Sequence, residues 1–198
     1  RSAETVDLTG WKIQGAPSSG GALILPAVTV ESQASIHITN YDYGNPKTVL
    51  TVKPAHVTSS VSLPNTDLIL VLTDTSGAVM DQVSARYAGS TGATRASMER
   101  VTLSDSESAW TSATTAQNLV ATGIDYGTPG LARALKAEDT PQTTPTPPIA
   151  PENLTPELTP LPDGTAQTPA YVPERILMSE IGFNDHGAPW VELWNANP

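Results

Sequence analysis

The sequence predicts an all-β sandwich, on three observations. Nearly every periodic stretch alternates with period two, no stretch reads as a long amphipathic helix, and several short strands are separated by turn signals.

The strands fall in this order. "ALILPAVTV" (22–30) and "ASIHIT" (34–39) are short and β-branched, and "TVLTVK" (48–53) alternates weakly. "DLILVLTD" (67–74) is apolar on both faces, the pattern of a strand in the middle of a sandwich. "TSG" (75–77) then supplies a tight turn into "AVMDQVSARY" (78–87), completing the best hairpin in the sequence. Within its second arm Val79, Val83, Ala85 and Tyr87 share a face that Asp81 interrupts. "SMERVTL" (97–103) gives another strand, and "NLVATGIDYGTPGLA" (118–132) a turn-rich closing segment. Only "LARALKAE" (131–138) has the makings of a helical turn or two.

Composition divides the chain into three parts. Of the 18 prolines, ten lie between Lys136 and Arg175, marking 136–175 as a Pro/Thr-rich linker expected to favour extended conformations. Residues 1–135 form the body, long enough for one core, and 176–198 carry two further strands. Those strands, Ile176–Phe183 and Trp190–Asn195, flank the loop "NDHGAP". In the second, Val191 and Leu193 share one face, and Trp190, Glu192 and Trp194 the other. Two strands do not make a stable domain alone, so they need a partner sheet.

The formal charge of −10 argues against nucleic acid as a partner, since phosphate counterions are displaced by basic surfaces. It also argues against adhesion to anionic lipid. No run approaches the roughly 20 apolar residues that span a bilayer, so no membrane insertion is expected. Cysteine is absent, as suits a protein outside the cell that avoids stray thiols. Without an initiator Met or signal peptide, the chain reads as a segment of a longer precursor. "NLT" (153–155) matches a glycosylation sequon, relevant only in a secretory host.

At this point a family resemblance emerges. "VDLTGWKI" (6–13), "SVSLPNTDLILVLTDTSGAVMDQVS" (60–84), "ASMERV" (96–101), Trp110 and "GTPGLA" (127–132) follow one another in the order seen in lamin-tail domains, and the divergent style resembles the bacterial members. The resemblance implies an immunoglobulin-like β-sandwich. It also implies two opening strands before "VDLTGW"; here their counterparts, "ILMSEIGF" and "WVELWN", come after the closing segment.

Those strands should bury about six apolar side chains: Leu177, Ile181, Phe183, Val191, Leu193 and a Trp. At ~1.5–3 kcal/mol each, that is an upper figure of roughly 9–18 kcal/mol. Whole-domain stability is only about 5–15 kcal/mol, so residues 1–133 alone should not fold well. Three suppliers of the missing strands are open: the chain's own tail, giving a circularly permuted domain; the tail of another copy, giving a strand-swapped assembly; or the next repeat of a tandem array.

The chain shows no catalytic constellation. His37, His56 and His186 are scattered, there is no G-x-S-x-G elbow and no phosphate-cradling glycine loop. No cofactor is expected. Asp185–His186, with Glu180, could ligate a metal, but a polar β-turn explains them better. Asp74 and Asp81 flank the "TSG" turn and could hold Ca²⁺, though the turn itself accounts for Asp74. Trp11 and Trp110 are expected in the core. Trp190 and Trp194 share a face with Glu192 and are a candidate ligand platform for stacking sugars, but an aromatic at either end of this strand is ordinary in the family it resembles, and packing on the sandwich or the linker explains them better.

Two functions are therefore expected. The first is a non-enzymatic structural or interaction module of a bacterial surface or secreted protein, chaining domains or copies by β-strand complementation, with its own copies or neighbouring domains as partners. The alternative is an accessory domain holding a linked hydrolase or nuclease on polysaccharide or another extracellular polymer.

Overall fold

The computed structural model describes residues 4–17, 19–64, 67–90, 92–131, 135, 175–183 and 188–197. The chain divides into two units. The first joins Arg1–Glu138 with Glu174–Pro198 and holds every element below; the second, Asp139–Pro173, lies outside the described residues. So do most of the Pro/Thr-rich linker, the "NLT" sequon and most of the 131–138 segment.

The protein is an all-β sandwich. One layer is a four-stranded sheet of β3 (Ala22–Ile24), β2 (Lys12–Gln14), β7 (Leu70–Thr73) and β8 (Val79–Val83), in that order. The other is a six-stranded sheet of β11 (Trp110–Ser112), β10 (Met98–Arg100), β13 (Ile176–Gly182), β14 (Trp190–Asn195), β5 (Ser35–Thr39) and β6 (His56–Val57). Two small pairs complete it: β1 (Val6–Asp7) with β4 (Thr29–Val30), and β12 (Asp125–Tyr126) running parallel to β9 (Arg95–Ala96). Between the layers lies one core, to which Trp11, Ile13, Leu70, Leu72 and Val83 contribute from one side. Ile38, Met98, Ile181, Val191 and Leu193 contribute from the other. Trp11 and Trp110 are both buried in it.

The β7–β8 hairpin turns where the residues demand it. Oδ1 of Asp74 accepts bonds from the N–H groups of Ser76 and Ala78, both at 2.8 Å, and Gly77 takes φ +88°. The Ser76 hydroxyl, donating to the same oxygen at 2.7 Å, and the turn's N–H groups hold the Asp74 carboxyl below its usual range. Three readings need correction. The 22–30 stretch is two strands rather than one, interrupted at Leu25–Val28, where Pro26 lacks the N–H a ladder requires. The 48–53 stretch forms only an isolated bridge between Leu50 and Leu119. And the 67–74 stretch is fully covered on one face only: Leu68, Leu70 and Leu72 are buried, while on the other Ile69 is 60% exposed, Val71 half-buried and Thr73 buried.

The middle of the six-stranded sheet is made by the far end of the chain. β13 pairs antiparallel with β10 on one side and β14 on the other, and β14 pairs antiparallel with β5. A bulge between Met178 and Glu180 sets the faces of β13. Ile176 and Met178 point into the core; the bulge adds a residue, and Ile181 and Phe183 point inward again. Without it, alternation would turn Ile181 and Phe183 to the other face. Leu177, expected among the core-facing residues, is buried on the outer face beside its cross-strand neighbour Trp194. At the far end of β14 the Asn195 amide donates to the Glu4 carbonyl at 2.9 Å and the Val30 carbonyl at 3.1 Å, bringing the last strand beside the first.

Candidate functional site

The candidate site is the slot between β10 and β5 that the β13–β14 hairpin fills. Every residue of both strands is buried, so the hairpin is enclosed on both faces. Val191 and Leu193 meet the core; on the outer face, Trp190 packs with Leu50 and Leu119. Its ring lies over Gly182, its partner across the hairpin, where a Cβ would collide with it. Glycine is required at this position by space rather than by backbone conformation.

Polar groups fix the hairpin at two places. The first is the bulge. Asp81 on β8 accepts the Met178 N–H at 2.6 Å, and Arg100 on β10 donates from Nε to the Met178 carbonyl at 2.9 Å. Both main-chain polar groups of one residue are thereby satisfied by side chains where the bulge interrupts the ladder. Arg100 also binds Asp81 through Nη2, and its guanidinium stands 4.7 Å from the Trp110 ring. Burial pushes the Asp81 carboxyl up to about 7, opposed by the Arg100 charge and the Met178 N–H, with Asp105 adding to the rise.

The second place is a pair of glutamates directly opposite each other, Glu180 on β13 and Glu192 on β14. Both are fully buried. Oε1 of Glu180 accepts from Ser97 Oγ at 2.6 Å and from the Thr128 N–H at 3.0 Å. Oε1 of Glu192 accepts from Ser179 Oγ at 2.7 Å, and its Oε2 from the Gly130 N–H at 2.5 Å. The donors Thr128 and Gly130 belong to the "YGTPG" turn (126–130), which the motif "GTPGLA" marked as a closing segment without revealing what it closes on. His37 faces Glu192 across the β14–β5 pairing. Burial pulls its imidazole below the ordinary histidine range, a bond to the Val52 backbone opposing the shift.

The structure scatters the residues singled out for chemistry. Trp190 and Trp194 do not form a surface platform: they are 0% and 3% exposed, because the outer face of β14 is packed rather than solvated. Alternation alone does not distinguish those two cases. Asp81 is turned inward onto Arg100 while Asp74 stays in its own turn, so the two carboxylates build no Ca²⁺ site. Glu180 is held by Ser97 and Thr128, while Asp185 and His186 lie outside the described residues. Among the described residues, no group of three or more histidine or acidic side chains is placed to hold a metal ion. Sequence reasoning missed Arg100, Asp81 and Glu192 as partners; the signal available was Asp81 breaking an otherwise apolar face.

Fold and site thus define a β-sandwich whose central hairpin arrives from the far end of the chain. A scan against protein-family models finds no match, and neither does a search of curated proteins or of solved structures.

Proposed function

We propose that this chain is a non-enzymatic structural and interaction module of a bacterial surface or secreted protein, related to lamin-tail domains of the immunoglobulin-like type. Its working part is the exchangeable β13–β14 hairpin, which completes the six-stranded sheet of its own domain or of an adjoining copy. The observation that carries this reading is the hairpin's position: among the described residues, β10 and β5 are linked in the sheet through it. An element inserted in mid-sheet supplies main-chain hydrogen bonds along both of its edges, where strand addition at a sheet edge supplies them along one.

Tether arithmetic sets the balance. A segment of 40 residues between body and hairpin gives an effective concentration of about a millimolar, so the chain's own hairpin wins in dilute solution. Exchange between copies takes over where modules are crowded to that level, as on a cell surface or in an array. Light scattering of the full chain, refolded from denaturant at rising concentration, tests this. Dimers or longer species should accumulate towards the millimolar range and persist on dilution. A chain that stays monomeric after refolding at the highest concentration ends the reading.

A further inference from the structure

We infer that the 126–130 turn is the specificity determinant of the hairpin slot, reading the two glutamates of an incoming hairpin, so that the partner accepted is the 176–195 hairpin of a second copy of this chain. This rests on the exchange reading above and deepens it by stating what is recognised.

Apolar burial cannot select one hairpin among many, because a core accepts most side chains of the right size. Nor can the bulge contacts: Asp81 and Arg100 touch the main chain of Met178, which any residue but proline supplies, and so fix position along the strand rather than identity. The glutamates differ in kind. Glu180 and Glu192 reach main-chain N–H groups of Thr128 and Gly130 that are held in place by the turn. A hairpin with apolar residues there would leave those donors unpaired, and an orphaned polar group is penalised far more heavily than a missing methylene. A lysine would set a buried cation against donors. Discrimination therefore works against the wrong partner as much as for the right one.

Gly127 gives independent support. Its backbone is not in the left-handed region, so conformation does not call for glycine. Space does: a Cβ there would stand 2.7 Å from Oε1 of Glu180 and 3.0 Å from Oγ of Ser97. The turn keeps a gap that the Glu180 carboxylate occupies.

Two measurements on the full chain test the inference. The first is a double-mutant cycle by denaturant unfolding. Gly127→Ala should lower the folded-to-unfolded ratio roughly tenfold or more in the native background, but only about two- to threefold beside Glu180→Ala, where the carboxylate has gone. Equal losses in both backgrounds overturn the role assigned to the turn. If Glu180→Ala does not fold, Glu180→Asp, which withdraws the carboxylate by one methylene, serves in its place with the same expectation.

The second is sorting. Native chain and the Gly127→Ala/Glu180→Ala double variant, distinguishable by mass, are refolded together at about a millimolar, the effective concentration of the tether, and read by native mass spectrometry. Every mixed swapped dimer mismatches at both slots, so mixed species should fall well below the half expected at random. A random mixture overturns recognition by the turn. Absence of any dimer overturns exchange between copies, and the cycle then decides separately whether the turn reads the hairpin within one chain.

Discussion

Arg100 and Asp81 meet in the interior with both side chains fully buried, Nη2 donating to Oδ1 at 2.7 Å and to Oδ2 at 2.9 Å. They sit on different sheets, β10 and β8, and each also holds the main chain of Met178. A bridge between layers is thus joined to the strand that closes one of them. Removing one partner strands the other charge without water. Asp81→Ala should cost about 3–5 kcal/mol in chemical denaturation. Replacing both partners with apolar residues should cost less than the single change.

The same pair predicts a pH dependence. The folded Asp81 carboxyl sits near 7 against 3.8 for the ordinary group. The folded state therefore binds this proton more tightly than the unfolded chain, so the contribution is fully present below 3.8 and lost as pH rises through 7. Comparing the native chain with Asp81→Asn from pH 4 to pH 8, the native chain should gain relative stability towards the acid end. A difference that does not change with pH refutes the assignment.

His37 acts with the opposite sign in an overlapping window. Burial lowers its folded pKa from 6.5, so the unfolded chain takes up the proton first. Its contribution is present above 6.5 and is lost as pH falls through the lowered folded value. His37→Gln should therefore lose less stability than the native chain on acidification below 6.5, measured in an Asp81→Asn background that silences the other titration.

Trp190 separates a packed role from a binding one. Truncation to Ala empties the space over Gly182 and beside Leu50 and Leu119, at about 3–5 kcal/mol. The melting temperature should drop steeply. An unchanged melting curve with lost retention on a polysaccharide would instead restore the surface role for this residue.

Deleting residues 176–198 removes the two middle strands and leaves β10 and β5 with bare edges. The truncated chain should aggregate and show no cooperative melting transition. A soluble product that melts sharply would show the slot to be dispensable.

Much of the fold was legible in the sequence because period-two alternation and the "TSG" turn are local signals. The 67–87 hairpin and both strands after the linker could be read that way. What escaped was non-local. The bulge at Met178 reverses which of Leu177 and Met178 faces the core, and nothing in "ILMSEIG" marks it. Glu180 and Glu192 look like solvated positions until the 126–130 turn is laid over them. Arg100 looks like a surface cation until Asp81 is placed opposite, from a strand in the other sheet.

The pairing order also bears on how the molecule is made. Ribosomes build chains from front to back, so both flanks of the six-stranded sheet are synthesised well before the pieces that sit between them. During that interval the nascent chain carries an unfilled gap bordered by apolar surface, a natural target for chaperones. Contacts such as Ser32 with Asn197 join residues 165 positions apart, and non-local pairings of this kind form late because the intervening loop must close first. Assembly of this sheet must wait until β13 and β14 have been synthesised to set its centre in place.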